Sequence, residues 1–367
     1  MSETAHAEGE SLSVLMVPDY SSANPYQVAL IDALDTYNIR GMTGTGTGLF
    51  PITKAYRASG RADVVHLHWV HRYLVSDRYP RLLAVPLACR LVLDLLFLRV
   101  YGVAIVWTVH NLRTHESPAP RVELATRHVV ARLSARIVVH CPAAIERISA
   151  TYRLPERMAD RIDIVAHGNY EGMYPHAPEQ REARSALGLE QDRPVLLYLG
   201  KIREYKNVPR LLDTFRATDL PAVLLIAGNP RTATLKERVQ KRCHGDDRIR
   251  CTLRYIPDAD LPRYIAAADA VVLPFEDILT SGSVILAMTY GRAVVAPALG
   301  CLPDMIGERG GVLYDPAETD SLERALREAV SAPEKLREMG DRNRQKAAEL
   351  TWEHVACSMH AVYRRAG

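Results

Sequence analysis

The sequence has no surplus of charge of either sign: 46 Lys and Arg stand against 43 Asp and Glu, for a formal net charge of +3. That balance excludes a dedicated nucleic-acid binder, whose affinity would rest on a strong basic excess. It also lacks any C-x-x-C pair among its six cysteines, Cys89, Cys141, Cys243, Cys251, Cys301 and Cys357. Their scatter is that of reduced core thiols in a cytosolic protein. The opening MSETAHAEGESLS carries no basic-then-apolar pattern, so no secretory signal is expected there, and residues 1–11 read as a disordered tail. Short repeats and low-complexity tracts are missing too. Finally, no run is long and apolar enough to span a bilayer. The nearest, Leu82 to Leu98 (LLAVPLACRLVLDLLFL), is interrupted by Pro86, Arg90 and Asp94. As a helix it is amphipathic and flanked by Arg72, Arg78, Arg81 and Arg99. The expected role is a buried crossover helix of a first domain; the functional alternative is shallow docking on an anionic membrane face.

What is present is an alternation. Short apolar runs, Ser13–Pro18, Asp63–Trp69, Val103–His110, Arg136–His140 and Ile162–His167, alternate with helical patterns in the first half. Val195–Gly200, Ala222–Gly228, Ile249–Leu253, Ala270–Phe275 and Ala293–Pro297 do so in the second. Continuous apolar strands separated by helices predict parallel sheets covered on both faces, hence an α/β, doubly wound architecture. At 367 residues the chain is comfortable for two domains. The break falls between Asn169 and Asp192, where Pro175, Pro178 and the charged EQREAR occur. This places a first domain over 12–177 and a second over 178–348. Residues 349–367 form a last amphipathic helix with Trp352, Val355, Met359 and Val362 along one side.

In open parallel sheets ligands bind beyond the carboxyl ends of the strands, so the residues there are the candidates for chemistry. After Leu199 come Gly200, Lys201, Arg203 and Lys206, a glycine turn and three cations matched to a diphosphate, each charged contact contributing roughly 1.5–3 kcal/mol. After Phe275 come Thr280, Ser281, Gly282 and Ser283, small residues at a helix start, where backbone donors and the helix dipole favour an anion. Gly228 and Asn229 end a third strand. Tyr255 and Ile256 end a fourth, where a nucleobase could pack. The competing reading of these loops is a solvated basic turn, ordinary N-capping and simple turn chemistry. In the first half, His66, His68 and Trp69 follow one strand, His110 and Glu116 another, and His140 and His167 two more. Imidazoles at strand ends can line an acceptor crevice and handle protons. His-x-His can also chelate, but no third ligand stands at a metal-site spacing, so no metal is expected.

Together these residues resemble a family. YLGKIREYKN, LLIAGNP, RYIPDADLPRYIAAADAVVLPF, ILTSGSVILAMTYGRAVVAP and GGVLYDP, in that order, are similar to the donor domain of family-4-like glycosyltransferases of the GT-B fold. DVVHLHW, VWTVHN and HGNY are familiar from the first domain. The resemblance implies two Rossmann-like doubly wound domains facing across a cleft. By it, Arg203 and Lys206 neutralise the diphosphate of a nucleotide-sugar donor, Thr280–Ser283 bind its oxygens, and His110 lies near the reacting sugar. His66, His68, Trp69, His167 and Asp19 fall on the acceptor side. The final helix crosses back to the first domain, and no metal or other cofactor is needed because protein cations replace it. The acceptor is a glycan or a lipid-linked glycan. A cytoplasmic enzyme of polysaccharide or glycoconjugate biosynthesis is expected, resting against the inner face of the membrane in the docking alternative. The family's helix usually carries two glutamates eight positions apart. Ile278 and Leu286 stand in their places, as in a T-S-G subgroup that includes β-mannosyltransferase-like enzymes. An inverting enzyme needs a general base, for which Glu116 and Asp19 are candidates. The alternatives are a GT-B sugar-nucleotide epimerase, which would act on the donor alone, and a non-catalytic sugar-nucleotide or glycan-binding protein, which would bind without releasing nucleotide.

Overall fold

A computed structural model describes residues 11–22, 24–74 and 81–367. Apart from Ser11 the expected tail lies outside the described residues, as does Arg78. The chain divides into two compact units. The first takes residues up to His140, then Ile145–Ala166 and Trp352–Gly367; the second takes Cys141–Ala144 and His167–Thr351. The domain boundary expected at 177/178 is thus corrected to 166/167. The reason lies in hydrogen bonds: the Asn169 amide donates to the Leu350 carbonyl (2.7 Å), Asn169 Nδ2 to the Ala347 carbonyl (2.8 Å), and the Tyr170 amide to Thr289 Oγ1 (3.2 Å). All three partners belong to the second unit.

Each unit is built on a six-stranded sheet in which every pairing is parallel. The first contains β1 (Leu12–Val17), β2 (Ile39–Thr43), β3 (Val64–Leu67), β4 (Ala104–Thr108), β5 (Arg136–Val139) and β6 (Ile162–Ile164), in the order β2-β1-β3-β4-β5-β6. The second contains β7 (Val195–Leu199), β8 (Val223–Ala227), β9 (Ile249–Thr252), β10 (Ala270–Val272), β11 (Ala293–Pro297) and β12 (Gly311–Tyr314), in the order β12-β11-β10-β7-β8-β9. The inner strands β3, β4, β7, β8, β10 and β11 are buried throughout, as sheets covered on both faces require. Strand order reverses between β1 and β3 in the first sheet and between β7 and β10 in the second. Such switch points open a crevice at the carboxyl ends of the flanking strands. The residues that follow β7 and β10 are the two donor loops singled out above. The sequence pattern missed β2 and β12, both edge strands: Arg40 in IRGMT is exposed and β12 opens on a glycine.

The helix Ala84–Val100 corrects a second expectation. Ala84, Ala88, Leu91, Leu95 and Leu98 are buried, but Leu82, Val85, Leu93, Phe97 and Val100 are exposed, Leu82 by 90% and Val100 by 84%. It is half-buried rather than enclosed. Asp94 is no interruption either: it is buried, and its carboxylate accepts the Ile52 and Thr53 amides at 2.7 and 2.8 Å. These are orphan donors in the first turn of the helix Pro51–Ala58. The reduced-thiol reading is corrected as well. Cys141 is joined to Cys301 and Cys243 to Cys251, while Cys89 and Cys357 are exposed thiols. A pair 160 residues apart leaves no trace in spacing.

Candidate active site

At the switch point of the second sheet the chain turns sharply after β7. Gly200 has φ +134°, a conformation L side chains rarely adopt. A Cβ there would lie 3.6 Å from Lys206 Nζ and 3.8 Å from Ser283 Oγ, so the cation and the start of the helix Gly282–Thr289 converge beside this turn. Gly228, after β8, is required by close approach: a Cβ on it would meet the Gly200 carbonyl oxygen at 1.8 Å. The loops after β7 and β8 are further tied by Ile202, whose amide donates to the Asn229 carbonyl at 3.0 Å. Ser281 stands at the N-cap of the helix, yet its side chain makes no capping hydrogen bond. The N-capping alternative for T-S-G-S therefore does not describe Ser281. Thr280 Oγ1 lies 3.7 Å from Met305 Sδ.

Electrostatics sharpen the picture. Lys206 is pushed down to about 8, first by burial and then by Lys201 and Arg203. Its ammonium also lies over the Phe275 ring at 5.5 Å. A buried lysine flanked by two further cations is an arrangement suited to an anion. Of the other residues expected to touch the donor, Ile256 is buried, whereas Tyr255 is 62% exposed beside Asp258. Ile278, in place of a carboxylate, is buried, and Leu286 is half-buried. His167 was expected among acceptor residues. The structure assigns it to the second unit, close to Gly282.

The first sheet carries a different array. His66 is fully buried, its Nδ1 2.7 Å from the Tyr363 hydroxyl and its Nε2 2.7 Å from Thr108 Oγ1. No surface is left on it for an acceptor, which corrects that expectation; His68, 2% exposed, is scarcely more accessible. Next to them runs a chain of three rings. His140 Nδ1 lies 2.8 Å from the Val165 carbonyl and must donate to it. His140 Nε2 in a neutral ring then accepts from His110 Nδ1 (3.3 Å), and His110 Nε2 accepts from His68 Nδ1 (3.1 Å). His68 Nε2 ends the chain, buried and without a hydrogen-bond partner. Burial drives His66 down to about 3, helped by His110 and His140, and holds His68 and His140 below the ordinary imidazole range. Trp69 stacks on His110 with centroids 4.5 Å apart, and the Tyr26 ring meets it edge-on at 5.2 Å. The strand-end histidines His68, His110 and His140 thus come together, as their places in the sequence imply, and Tyr26 joins them from a helix that the sequence reading did not include.

The loop after β4 that bears Glu116 is anchored from the helix Pro120–Leu133. Glu123 Oε1 accepts the Thr114 amide (2.8 Å), the Thr114 hydroxyl (2.7 Å) and Arg127 Nε (2.8 Å), and Arg127 donates to the Asn111 carbonyl at 3.0 Å. Asp19, after β1, is held below the usual carboxylate range, chiefly by the Ser21 hydroxyl (2.6 Å) and amide (2.9 Å). Among the described residues no three His, Cys, Asp or Glu side chains come together as a metal ligand set.

Comparison with known proteins gives the family and the fold. Residues 179–346 match the family model for glycosyl transferases group 1. A GDP-mannose:glycolipid 4-beta-D-mannosyltransferase of Xanthomonas campestris pv. campestris is 31% identical over 322 residues, 85% of this chain and 82% of that protein. Sucrose-phosphate synthase from Thermosynechococcus elongatus superimposes with a TM-score of 0.73 at 18% identity, covering 97% of this chain and 98% of that one. The Anabaena protein HepE in complex with UDP and glucose gives 0.71 at 13% identity, over 95% and 98%. The chain belongs to the group 1 glycosyltransferases, nucleotide-sugar hexosyltransferases of the GT-B type built on two Rossmann-like domains.

Proposed function

We propose that the chain transfers mannose from GDP-mannose to a lipid-linked glycan, forming a β-linkage, as a divergent family-4-like enzyme of the T-S-G subgroup. The observation that carries the donor half is the convergence of Lys206, Ser283 and the Gly200 turn at the switch point of the second sheet. There, Lys206 and Arg203 stabilise the charge that develops on the departing nucleoside diphosphate, and the first turn of Gly282–Thr289 supplies backbone donors. Protein cations take the place of a metal. The choice of mannose rests on the Xanthomonas relative's name. Forming a β-linkage from an α-linked donor inverts the reacting carbon, so the attacking hydroxyl must lose its proton to a base. Glu116 takes that role, on a loop that Glu123 and Arg127 hold in place. Asp19, already stabilised as an anion, is the poorer acceptor of a proton.

The test is release of GDP from GDP-mannose in the presence of lipid-linked acceptor. Arg203→Ala and Lys206→Ala should abolish it through loss of donor affinity, and unchanged affinity in both would sink the donor assignment. Glu116→Gln should lower kcat by about 10²–10⁴-fold with donor affinity kept.

A lipid-linked acceptor calls for a surface at the bilayer. Among the described residues no helix is long and apolar enough to cross a membrane. The exposed apolar side of Ala84–Val100 instead borders a groove of about 620 Å³, lined by Val85, Cys89, Leu93, Val122 and Val129 among others. Arg121 lines it, and Arg81 and Arg99, near the two ends of the helix, are exposed. This face rests on anionic lipid, its apolar side chains in the headgroup boundary and its arginines on phosphates. Flotation with anionic liposomes should be lost when Arg81, Arg99 and Arg121 are changed to Gln; undiminished flotation would refute it.

A further inference from the structure

Two neighbouring helices of the first unit leave a groove between them. Ala84–Val100 links β3 to β4, Pro120–Leu133 links β4 to β5, and the two pack side by side. Only two or three residues separate each helix from the strand that follows, so its last turn stands at the amino edge of the sheet. The three strands are parallel, and each helix therefore runs back against them from a start at the carboxyl edge. The groove of about 620 Å³ draws its walls from the first ten residues of each helix, Val85 to Leu93 of one and Arg121 to Val129 of the other. It thus lies toward the edge that carries the strand-end histidines. Arg121 stands five residues beyond Glu116, the proposed base.

The lining is carbon almost throughout. Val85, Val92 and Leu93 come from one helix, Val122, Ala125 and Val129 from the other. Thr126 presents no free hydroxyl, since its Oγ1 donates to the Val122 carbonyl at 2.7 Å. Arg121 is the one charged residue among the described residues of the lining, exposed in the first turn of its helix. The carboxylate of that turn, Glu123, is buried on Arg127 and Thr114 and does not offset it. An apolar groove with a cation at the acceptor edge matches one kind of molecule: a long hydrocarbon chain ending in a phosphate that carries a glycan. A bilayer lipid has no reason to be led to the loop that bears Glu116, whereas an acceptor does. We propose that this groove holds the lipid tail of the acceptor, with Arg121 on the phosphate that joins tail to glycan. This rests on the reading of the chain as a transferase for a lipid-linked glycan. It gives the apolar face a second task, drawing the tail out of the bilayer toward the base.

Cys89, an exposed thiol in the groove, reports on occupancy, and Cys357, the other exposed thiol, serves as internal control. The full chain is alkylated with N-ethylmaleimide and the two peptides are read by mass spectrometry. Geranylgeranyl phosphate in about tenfold excess over its Kd should slow Cys89 about tenfold and leave Cys357 unchanged. Arg121→Gln should weaken this probe about tenfold, and geranylgeraniol, which lacks the phosphate, should bind the unaltered chain correspondingly less well. Ala125→Trp, at an exposed position of the lining, should remove the protection while thermal unfolding stays unchanged. In the GDP-release assay geranylgeranyl phosphate should compete with the lipid-linked acceptor and not with GDP-mannose. An unprotected Cys89, or protection without competition against the acceptor, would overturn the proposal. So would vesicles of phosphatidylglycerol alone protecting Cys89 as fully as vesicles that also contain geranylgeranyl phosphate, because bulk lipid is then the occupant. Absence of GDP release altogether would remove the transferase reading and the acceptor's part of the proposal with it, while protection of Cys89 would still show a site for a lipid phosphate.

Discussion

The carboxyl edge of the first sheet holds buried imidazoles that the fold keeps neutral, whereas that of the second gathers Lys201, Arg203 and Lys206, of which Lys206 is buried and held below the ordinary lysine range. Both sites lie at a strand-order reversal in a parallel sheet, and both contain groups displaced from their ordinary protonation behaviour by burial. In the first unit His68, His110 and His140 are hydrogen-bonded in a row that ends at the Val165 carbonyl, with His68 Nε2 left over at the other end. In the second the displaced Lys206 lies beside a glycine turn and a helix start, with Lys201 and Arg203 as its charged neighbours. A perturbed group is therefore an incomplete guide to function; what it faces decides what it can do.

The strongest way to break this contrast is to remove the unanswered charge. Lys206→Ala should lower kcat/KM by about 10²–10³-fold, the scale of deleting one group that stabilises developing charge in an enclosed site. Its thermal unfolding should stay near that of the unaltered chain, because the ammonium offsets no buried anion. Next comes pH. Unliganded Lys206 titrates at about 8, below the ordinary lysine range, and a bound diphosphate favours the charged form. Donor affinity should hold steady below pH 8 and weaken about tenfold per unit above it, because binding must then take up a proton. Titration with GDP at pH 7, 8 and 9 in two buffers of different ionisation enthalpy reads both the affinity and the proton. Lys206→Arg should flatten the profile.

The histidines predict the opposite linkage. His66 in the folded chain lies at about 3, below the ordinary value of 6.5. Between those values the unfolded chain binds a proton that the folded chain refuses, so stability present above 6.5 is lost as pH falls. The slope should be about 1.4 kcal/mol per pH unit for each such histidine. Urea unfolding from pH 7 to pH 4.5 measures it, and His66→Gln should make the decline shallower by about one histidine's share. An unchanged slope would show that His66 is already charged in the fold.

Legibility from sequence followed the same division. Strands such as VLLYL and AVV announce themselves because burial on both faces makes them continuously apolar, and the chain beyond their carboxyl ends carries Gly200, Lys206 and Ser283. Local chemistry is enough to single out a candidate anion loop, because Lys201, Arg203 and Lys206 all sit within a few residues of the end of β7. The imidazole array is not local: His68, His110 and His140 come from three strand ends and Tyr26 from a helix, so the sequence pattern offers histidines but not their partners. Acceptor contact was accordingly expected of His66, which the fold encloses completely. Asp94 misled for a related reason, since a carboxylate that breaks an apolar run can be buried if another helix's amides are waiting for it.

The smallest expected effect concerns Asp19, and its size is informative. This residue stands just after β1, beside the reversal in the first sheet, where a general base for the acceptor hydroxyl would be useful. Its environment argues against that work. Ser21 gives it two hydrogen bonds, and Thr43 and Arg72 favour the anion further, so its affinity for a proton is lower than that of an ordinary carboxylate. A base is effective in proportion to that affinity. Asp19→Asn keeps the size of the side chain and an oxygen for Ser21 while removing the charge. It should change kcat by under about threefold, set against a loss of about 10²–10⁴-fold for Glu116→Gln. Steady-state rates of the two variants with the same donor and acceptor settle the order. If Asp19→Asn proves the more damaging, the proton leaves toward β1 rather than toward the loop after β4, and the anchoring of that loop by Glu123 and Arg127 serves the fold alone.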